Sequence, residues 1–311
     1  MTDATTTRGN HHSALWRRIW NCRVLYLLIL PLIVWYVMFC YVPMAGLYLA
    51  FERFSYKGGI WGSAWVGLNN FHEFFSDREF LRALRNTVIF SLGKLALQFP
   101  TAIILALALN ELRHARIKKL YQTVFTFPHF ISWVVMAGIL KNMFASNGVI
   151  NQLLTVWEMD AISPLLSKTG FRPFIWFSNI WKEAGWGAII YIAALASVSP
   201  ELHEAAMLDG ASKLKRIWHV DLPGILPTVV TMLILRCGSI LSLGFEKSYA
   251  LQNSLNLGVS EVISTYNYKT GMLQQKYSYS AAMGLFNNVV NLIMLSSVNF
   301  ISKKLTEESL W

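Results

Sequence analysis

Charge is what this 311-residue sequence lacks most: only 14% of its residues are Asp, Glu, Lys or Arg, against about a quarter in a soluble domain. Too little polar surface remains to cover a core of that size, which excludes a soluble globular fold. Cysteine is scarce as well. Three cysteines build no disulfide framework, which argues against a small secreted scaffold. There is no G-x-x-x-x-G-K-[S/T] phosphate loop, because Gly93-Lys94 is followed by Leu95; ATP hydrolysis by that route is excluded. His11 and His12 lie in the N-terminal tail and the other five histidines are scattered, so no metal site is expected. No Ser/His/Asp arrangement has a sequence context that supports a nucleophile, which tells against a membrane-embedded enzyme. Internal repeats, low-complexity tracts and heptads are absent too, and the 14% aromatic share is too high for a disordered chain.

Apolar residues fill the space. They make up 54% of the chain, and the mean hydropathy is +0.41. A bilayer core about 30 Å thick needs roughly 20 apolar residues in a helix. Six stretches qualify: 24–42, 86–110, 121–144, 174–199, 223–244 and 281–301. The expected fold is an all-α polytopic membrane protein with six transmembrane helices. Residues 1–20 read as a polar tail and 21–311 as the membrane domain. The first stretch follows Arg17, Arg18 and Arg23, as a signal peptide would. Its apolar run is longer than a signal core and no small-x-small cleavage site follows, so it is expected to be a retained helix.

Lysine and arginine set the orientation. The side holding both termini carries Arg8, Arg17, Arg18, Arg23, Arg113, Arg116, Lys118, Lys119, Lys213, Lys215, Arg216, Lys303 and Lys304, packed into short segments. The opposite side carries fewer in longer loops: 43–85, 145–173 and 245–280. The positive-inside rule then predicts cytoplasmic termini. The net charge of +10 (27 basic against 17 acidic residues) is accounted for by this partition, and no nucleic-acid partner is needed to explain it. In the first outer loop, Phe71, Phe74, Phe75 and Leu81 recur at near-helical spacing among charges over 68–82. This predicts either an amphipathic helix on the membrane surface or a loop helix packed on its own protein.

The cytoplasmic loop SPELHEAAMLDGASKLKRIWHVDLP, 199–223, carries the sharpest signal. Ser199 can cap a helix, Pro200 suits its first position, and Glu201 and Glu204 favour its positive N-terminal dipole. Ala205, Ala206, Met207 and Leu208 are good helix formers, and Gly210 can take the left-handed conformation that ends one. Glu204-Ala205-Ala206, Gly210, Val220 and Leu222-Pro223 fit the pattern E-A-A-x3-G-x9-I-x-L-P with one change, Val220 for Ile. Asp209-Gly210-Ala211 fits its sugar-permease variant. On these residues the chain resembles the permeases of binding-protein-dependent ABC importers. Four longer stretches, at the first crossing and at 65–75, 245–272 and 277–293, resemble the branch that takes up complex oligosaccharides and polysaccharides, including alginate and pectin fragments.

The resemblance implies a coupling helix, Glu204, Ala205, Ala206, Met207, Leu208, Asp209 and Gly210, that docks on an ATPase subunit. Glu204 would make a charged contact, Ala205 and Ala206 would allow close approach, and Gly210 would set the turn. It also implies ATP and Mg bound by the partner ATPase with no cofactor in this chain, an extracytoplasmic solute-binding protein, a second and paralogous permease, and a place in the bacterial inner membrane. A secondary ion-coupled transporter is the alternative, but it would call for inverted repeats and unwound ion-ligating helices, which the sequence does not display.

Charges inside spans are costly and mark cavities or ligands. Here they are lopsided: Lys94, Lys141, Lys182 and Arg236 against Glu183. Their expected depth is the outer half, where an importer receives its substrate. One reading is a cationic vestibule for an anionic, uronate-containing sugar; the other is snorkelling or local pairing. Asn287, Asn288 and Asn291 share a stripe of the last crossing, facing the pathway or joining helices. Tyr266, Tyr268, Tyr277 and Tyr279 are either contacts for the binding protein or membrane-interface residues.

Overall fold

The computed structural model describes residues 20–306 except 243, with the backbone alone at 305 and 306; most of the expected tail, 1–20, lies outside the described residues. The elements in chain order are α1 (Arg23–Tyr36), β1 (Glu52–Ser55), β2 (Gly59–Trp65), α2 (Asn69–Ser76), α3 (Arg78–Gly93), α4 (Phe99–Asn110), α5 (Ala115–Thr126), α6 (Trp133–Met143) and α7 (Val149–Val156). Then follow α8 (Phe171–Leu195), α9 (Pro200–Leu208), α10 (Lys213–Arg216), α11 (Leu222–Cys237), α12 (Phe245–Leu251), α13 (Leu257–Ser260), α14 (Ile263–Tyr268) and α15 (Tyr277–Thr306). Wider π-turns or tighter 3-10 turns join several of these without breaking the rod, so α1 runs on to Phe51, α3 into α4 through Lys94–Gln98, and α10 into α11 through Ile217–Asp221.

Among the described residues, four continuous helices are long and apolar enough to cross a bilayer: Arg23–Phe51, Arg78–Asn110, Lys213–Cys237 and Tyr277–Lys304. The number rises to as many as six if each of two bent pairs is one span: Ala115–Phe130 with Trp133–Met143 at 98°, and Phe171–Leu195 with Pro200–Leu208 at 77°. The first bend corrects the expectation of one straight helix over 121–144. Pro128 sits in the 3-10 turn Phe127–Phe130, Ile131 is extended, and the Ser132 hydroxyl accepts from the Val135 amide at 3.3 Å to cap the new helix. Breaking a helix at membrane depth frees carbonyls that need donors. Lys182 of α8 supplies them, its Nζ donating to His129 O at 2.6 Å and to Pro128 O at 3.4 Å.

α8 is the central post, in contact with α4, α5 and α11. Its approach to α5 depends on the absence of a side chain at Gly185, where a Cβ would stand 2.1 Å from the Phe125 carbonyl oxygen. Small residues permit such close crossings in membranes. Gly185→Ala must push two backbones apart, a disruption of about 1–3 kcal/mol or more. The expected result is a lower melting temperature and less detergent-extractable protein, measured against the wild type.

At one end, the chain between the first two crossings forms a short antiparallel hairpin, pairing Glu52 with Trp65 and Arg53 with Ala64. Asn70 of α2 holds it, donating to Ala50 O at 2.9 Å and Glu52 O at 2.8 Å. Phe74 is fully buried in a cluster with Phe80, Ile263, Tyr279 and Met283, so α2 packs on its own protein, the second of the two readings of 68–82. Asp77 caps α3 and joins this end together: its carboxylate accepts from the Glu79 amide at 2.8 Å, from Tyr279 at 2.9 Å and from the Tyr266 hydroxyl. Tyr266 and Tyr279 are therefore occupied within the chain.

Candidate functional site

Midway along the bundle, α3 and α4, α8, and α11 with the turn after it enclose a cavity of about 210 Å³, open on one side. The π-turn Lys94–Gln98 turns both of its polar ends into this space, since Lys94 and Gln98 line it together with Ser91, Glu183, Trp186, Tyr191, Arg236, Ser239 and Ser242. π-turns interrupt helices frequently at functional sites. Lys94 is the seventeenth residue of the Arg78–Asn110 rod, half-way along its 33 residues.

The charges in and around this cavity are unequal. Glu183 is already engaged: its Oε2 meets His129 Nδ1 at 2.8 Å and its Oε1 lies 3.6 Å from Lys182 Nζ. Trp186 stacks on the His129 ring at 4.4 Å between centroids and holds it in place. Among the described residues neither Lys94 nor Arg236 has a carboxylate within ion-pair distance; Lys94 lies within electrostatic reach of both Arg236 and Glu183. Two cations without carboxylate partners thus face one space. Gln98 adds a hydrogen-bonding group, its side chain buried and its Oε1 without a partner.

The other residues singled out from the sequence lie elsewhere. Lys182 is buried against the broken third crossing and does not line the cavity. Lys141 is exposed in the last turn of α6. Asn291 accepts from the Leu241 amide at 3.1 Å and donates to the Ser242 hydroxyl at 2.9 Å, so it braces the cavity wall from behind. Asn288 is exposed and Asn287 half-buried, both outside the lining. Lys247, which the sequence places in a loop, is buried beside Trp133 and donates to Asn179 Oδ1 at 3.0 Å; burial pushes its ammonium pKa down. Lys182 approaches the same Trp133 ring, each ammonium 5.5 Å from its centroid. Nothing in the local sequence pattern singles out Lys247 or Gln98. Among the described residues no His, Cys, Asp and Glu group could hold a metal ion.

The second site is α9, at the opposite end from the hairpin. Ser199 caps it, with its hydroxyl accepting from the Glu201 amide at 3.3 Å, and Pro200 is the first helical residue. Gly210 ends it at φ +76°, with Ala211 N donating to Ala206 O at 2.9 Å and Gly210 N to Met207 O at 3.1 Å. Those two bonds and the left-handed glycine are a Schellman stop. No residue of α9 is buried, only His203 and Ala206 are half-buried, and Leu208 is 90% exposed. Glu204, Ala205, Met207, Leu208 and Asp209 thus form an outward face on a helix with firm ends.

Comparison with known proteins decides the family. The model of the binding-protein-dependent transport system inner membrane component matches residues 98–307. The chain belongs to that family. This permease is similar to the protein LplB of Bacillus subtilis, 44% identical over 92% of this chain and 91% of LplB. It is also 40% identical to YteP of the same organism, a polygalacturonan/rhamnogalacturonan transport system permease, over 99% of this chain and 97% of that one. Among solved structures, a crystal structure of a bacterial ABC transporter involved in the import of the acidic polysaccharide alginate has a chain 37% identical to this permease. It superposes with a TM-score of 0.88 over 94% of this chain and 99% of its own.

Proposed function

We propose that this permease is a transmembrane subunit of an ATP-driven importer of acidic, uronate-containing oligosaccharides. The observation that carries the substrate class is the pair Lys94 and Arg236, which face one cavity with no carboxylate of their own. Unpaired charge at membrane depth is costly and is kept where a ligand meets it. A sugar carboxylate supplies the missing anion, and Gln98, Ser239 and Ser242 supply hydrogen-bonding groups for hydroxyls. The resemblance to a permease for polygalacturonan and to a chain of an alginate importer supports the same class.

The chain works in an assembly. Partner subunits bind and hydrolyse ATP with Mg and act on it through the outward face of α9; this chain needs no cofactor and performs no catalysis. A solute-binding protein delivers the sugar from outside, as in the alginate transporter solved in complex with an alginate pentasaccharide-bound periplasmic protein. A second, paralogous permease completes the pathway. Two observations favour one: the cavity, at about 210 Å³, is smaller than the roughly 300–1,000 Å³ of ligand sites, and the apolar window of the first crossing buries none of its residues within the chain. The protein belongs to a bacterial inner membrane, and the basic residues of 112–120 and 213–216 support a reading with both termini in the cytoplasm.

Uptake competition tests the substrate class. In vesicles holding the whole assembly, unlabelled oligogalacturonate is expected to suppress uptake of the labelled acidic oligomer, and a neutral oligomer of equal length is not. Equal competition by the two contradicts the acidic reading.

A further inference from the structure

α9 presents its outer face to the solvent, and something must carry its displacement into the bundle. Among the described residues, one polar side-chain contact leaves this helix: His203 Nε2 lies 3.5 Å from Asp221 Oδ1. Asp221 sits in the π-turn Ile217–Asp221, at the root of α11, with its side chain 2% exposed. That oxygen has no hydrogen-bond donor of its own. A buried carboxylate left without a counter-charge is strongly unfavourable. Arg216 and Glu111 also lie within electrostatic reach of Asp221, and Glu111 is 3.9 Å from Lys213. α9 itself adds Glu201 and Glu204. His203 is the group of this set that joins α9 to Asp221.

α11 is the helix that brings Arg236 to the cavity. Asp221 and Arg236 are fifteen residues apart on one rod, about 22 Å at 1.5 Å per residue. We infer that His203 is a positioning residue, the strut through which movement of α9 turns α11 and so resets the charged wall of the cavity. The inference rests on the reading of α9 as the ATPase-docking helix. The strut is strongest when a positive charge at position 203 faces the buried Asp221 carboxylate.

The test uses the complete assembly in proteoliposomes, with uptake and ATP hydrolysis measured together. His203→Ala and Asp221→Asn are expected to assemble and hydrolyse ATP while lowering uptake per ATP roughly fivefold or more. His203→Lys, which keeps a positive charge opposite Asp221, is expected to retain most of the wild-type ratio. A wild-type ratio in His203→Ala overturns the strut if Leu208→Asp, assayed beside it, loses uptake; if Leu208→Asp also transports normally, the docking reading itself fails. Loss in His203→Ala that His203→Lys does not restore makes His203 a packing residue and likewise overturns the charged link.

Discussion

Leu208→Asp is expected to leave the protein folded and inserted and to abolish ATP-driven uptake. Leu208 is 90% exposed, so its replacement removes little internal contact, and exposed substitutions of that kind usually change stability by less than about 0.5 kcal/mol. An exposed leucine on a rigid, doubly capped helix is suited to a pocket on a partner. Truncating such an anchor typically weakens association by about 2–4 kcal/mol, and a buried unpaired carboxylate adds to the loss. Binding of the ATPase subunits should therefore fall by at least thirtyfold or so. Co-purification of the ATPase with tagged permease reads this directly, and unchanged melting of the permease alone shows that the fold is intact.

The second large effect belongs to the cavity. Lys94→Ala and Arg236→Ala are each expected to reduce uptake of an acidic oligosaccharide about 10- to 100-fold and to leave a neutral one of equal length within a few-fold of wild type. The magnitude follows from a charge-assisted hydrogen bond, worth about 1.5–3 kcal/mol, converted at about 1.4 kcal/mol per decade. Lys94 and Arg236 act on one ligand group, so the double variant should lose less than the product of the single effects. Equal losses for the acidic and neutral sugars would make both residues structural. Lys182→Met serves as the contrast. Its ammonium satisfies the carbonyls of Pro128 and His129, so its loss should lower stability without discriminating between sugars.

These contrasts mark where the sequence is readable. The number of crossings is legible because apolar length is a local property, and α9 is legible because Ser199, Pro200 and Gly210 each determine their own backbone. The bend in the third crossing is not, since Pro128 is compatible with a straight membrane helix and the run continues apolar through Ile131. Lys94, Lys182 and Arg236 all read as intramembrane cations. Only the packing separates them, because the partners of Lys182 are main-chain carbonyls on a different helix, 53 and 54 residues away in sequence. Gln98 reads as one polar residue among apolar ones until the π-turn aims it into the cavity. Lys247 reads as a loop residue until α12 folds inward beside Trp133. Asn291, on the expected stripe, turns out to hold the backbone of Leu241.

The most direct test of an ATP-driven, binding-protein-dependent permease is uptake of a labelled oligouronate into proteoliposomes that hold this chain, its partner permease and the ATPase subunits. Uptake should require both internal ATP with Mg and an external solute-binding protein loaded with the sugar, and it should persist when proton and sodium gradients are collapsed. Uptake that proceeds without ATP, or that stops with those gradients, would contradict it.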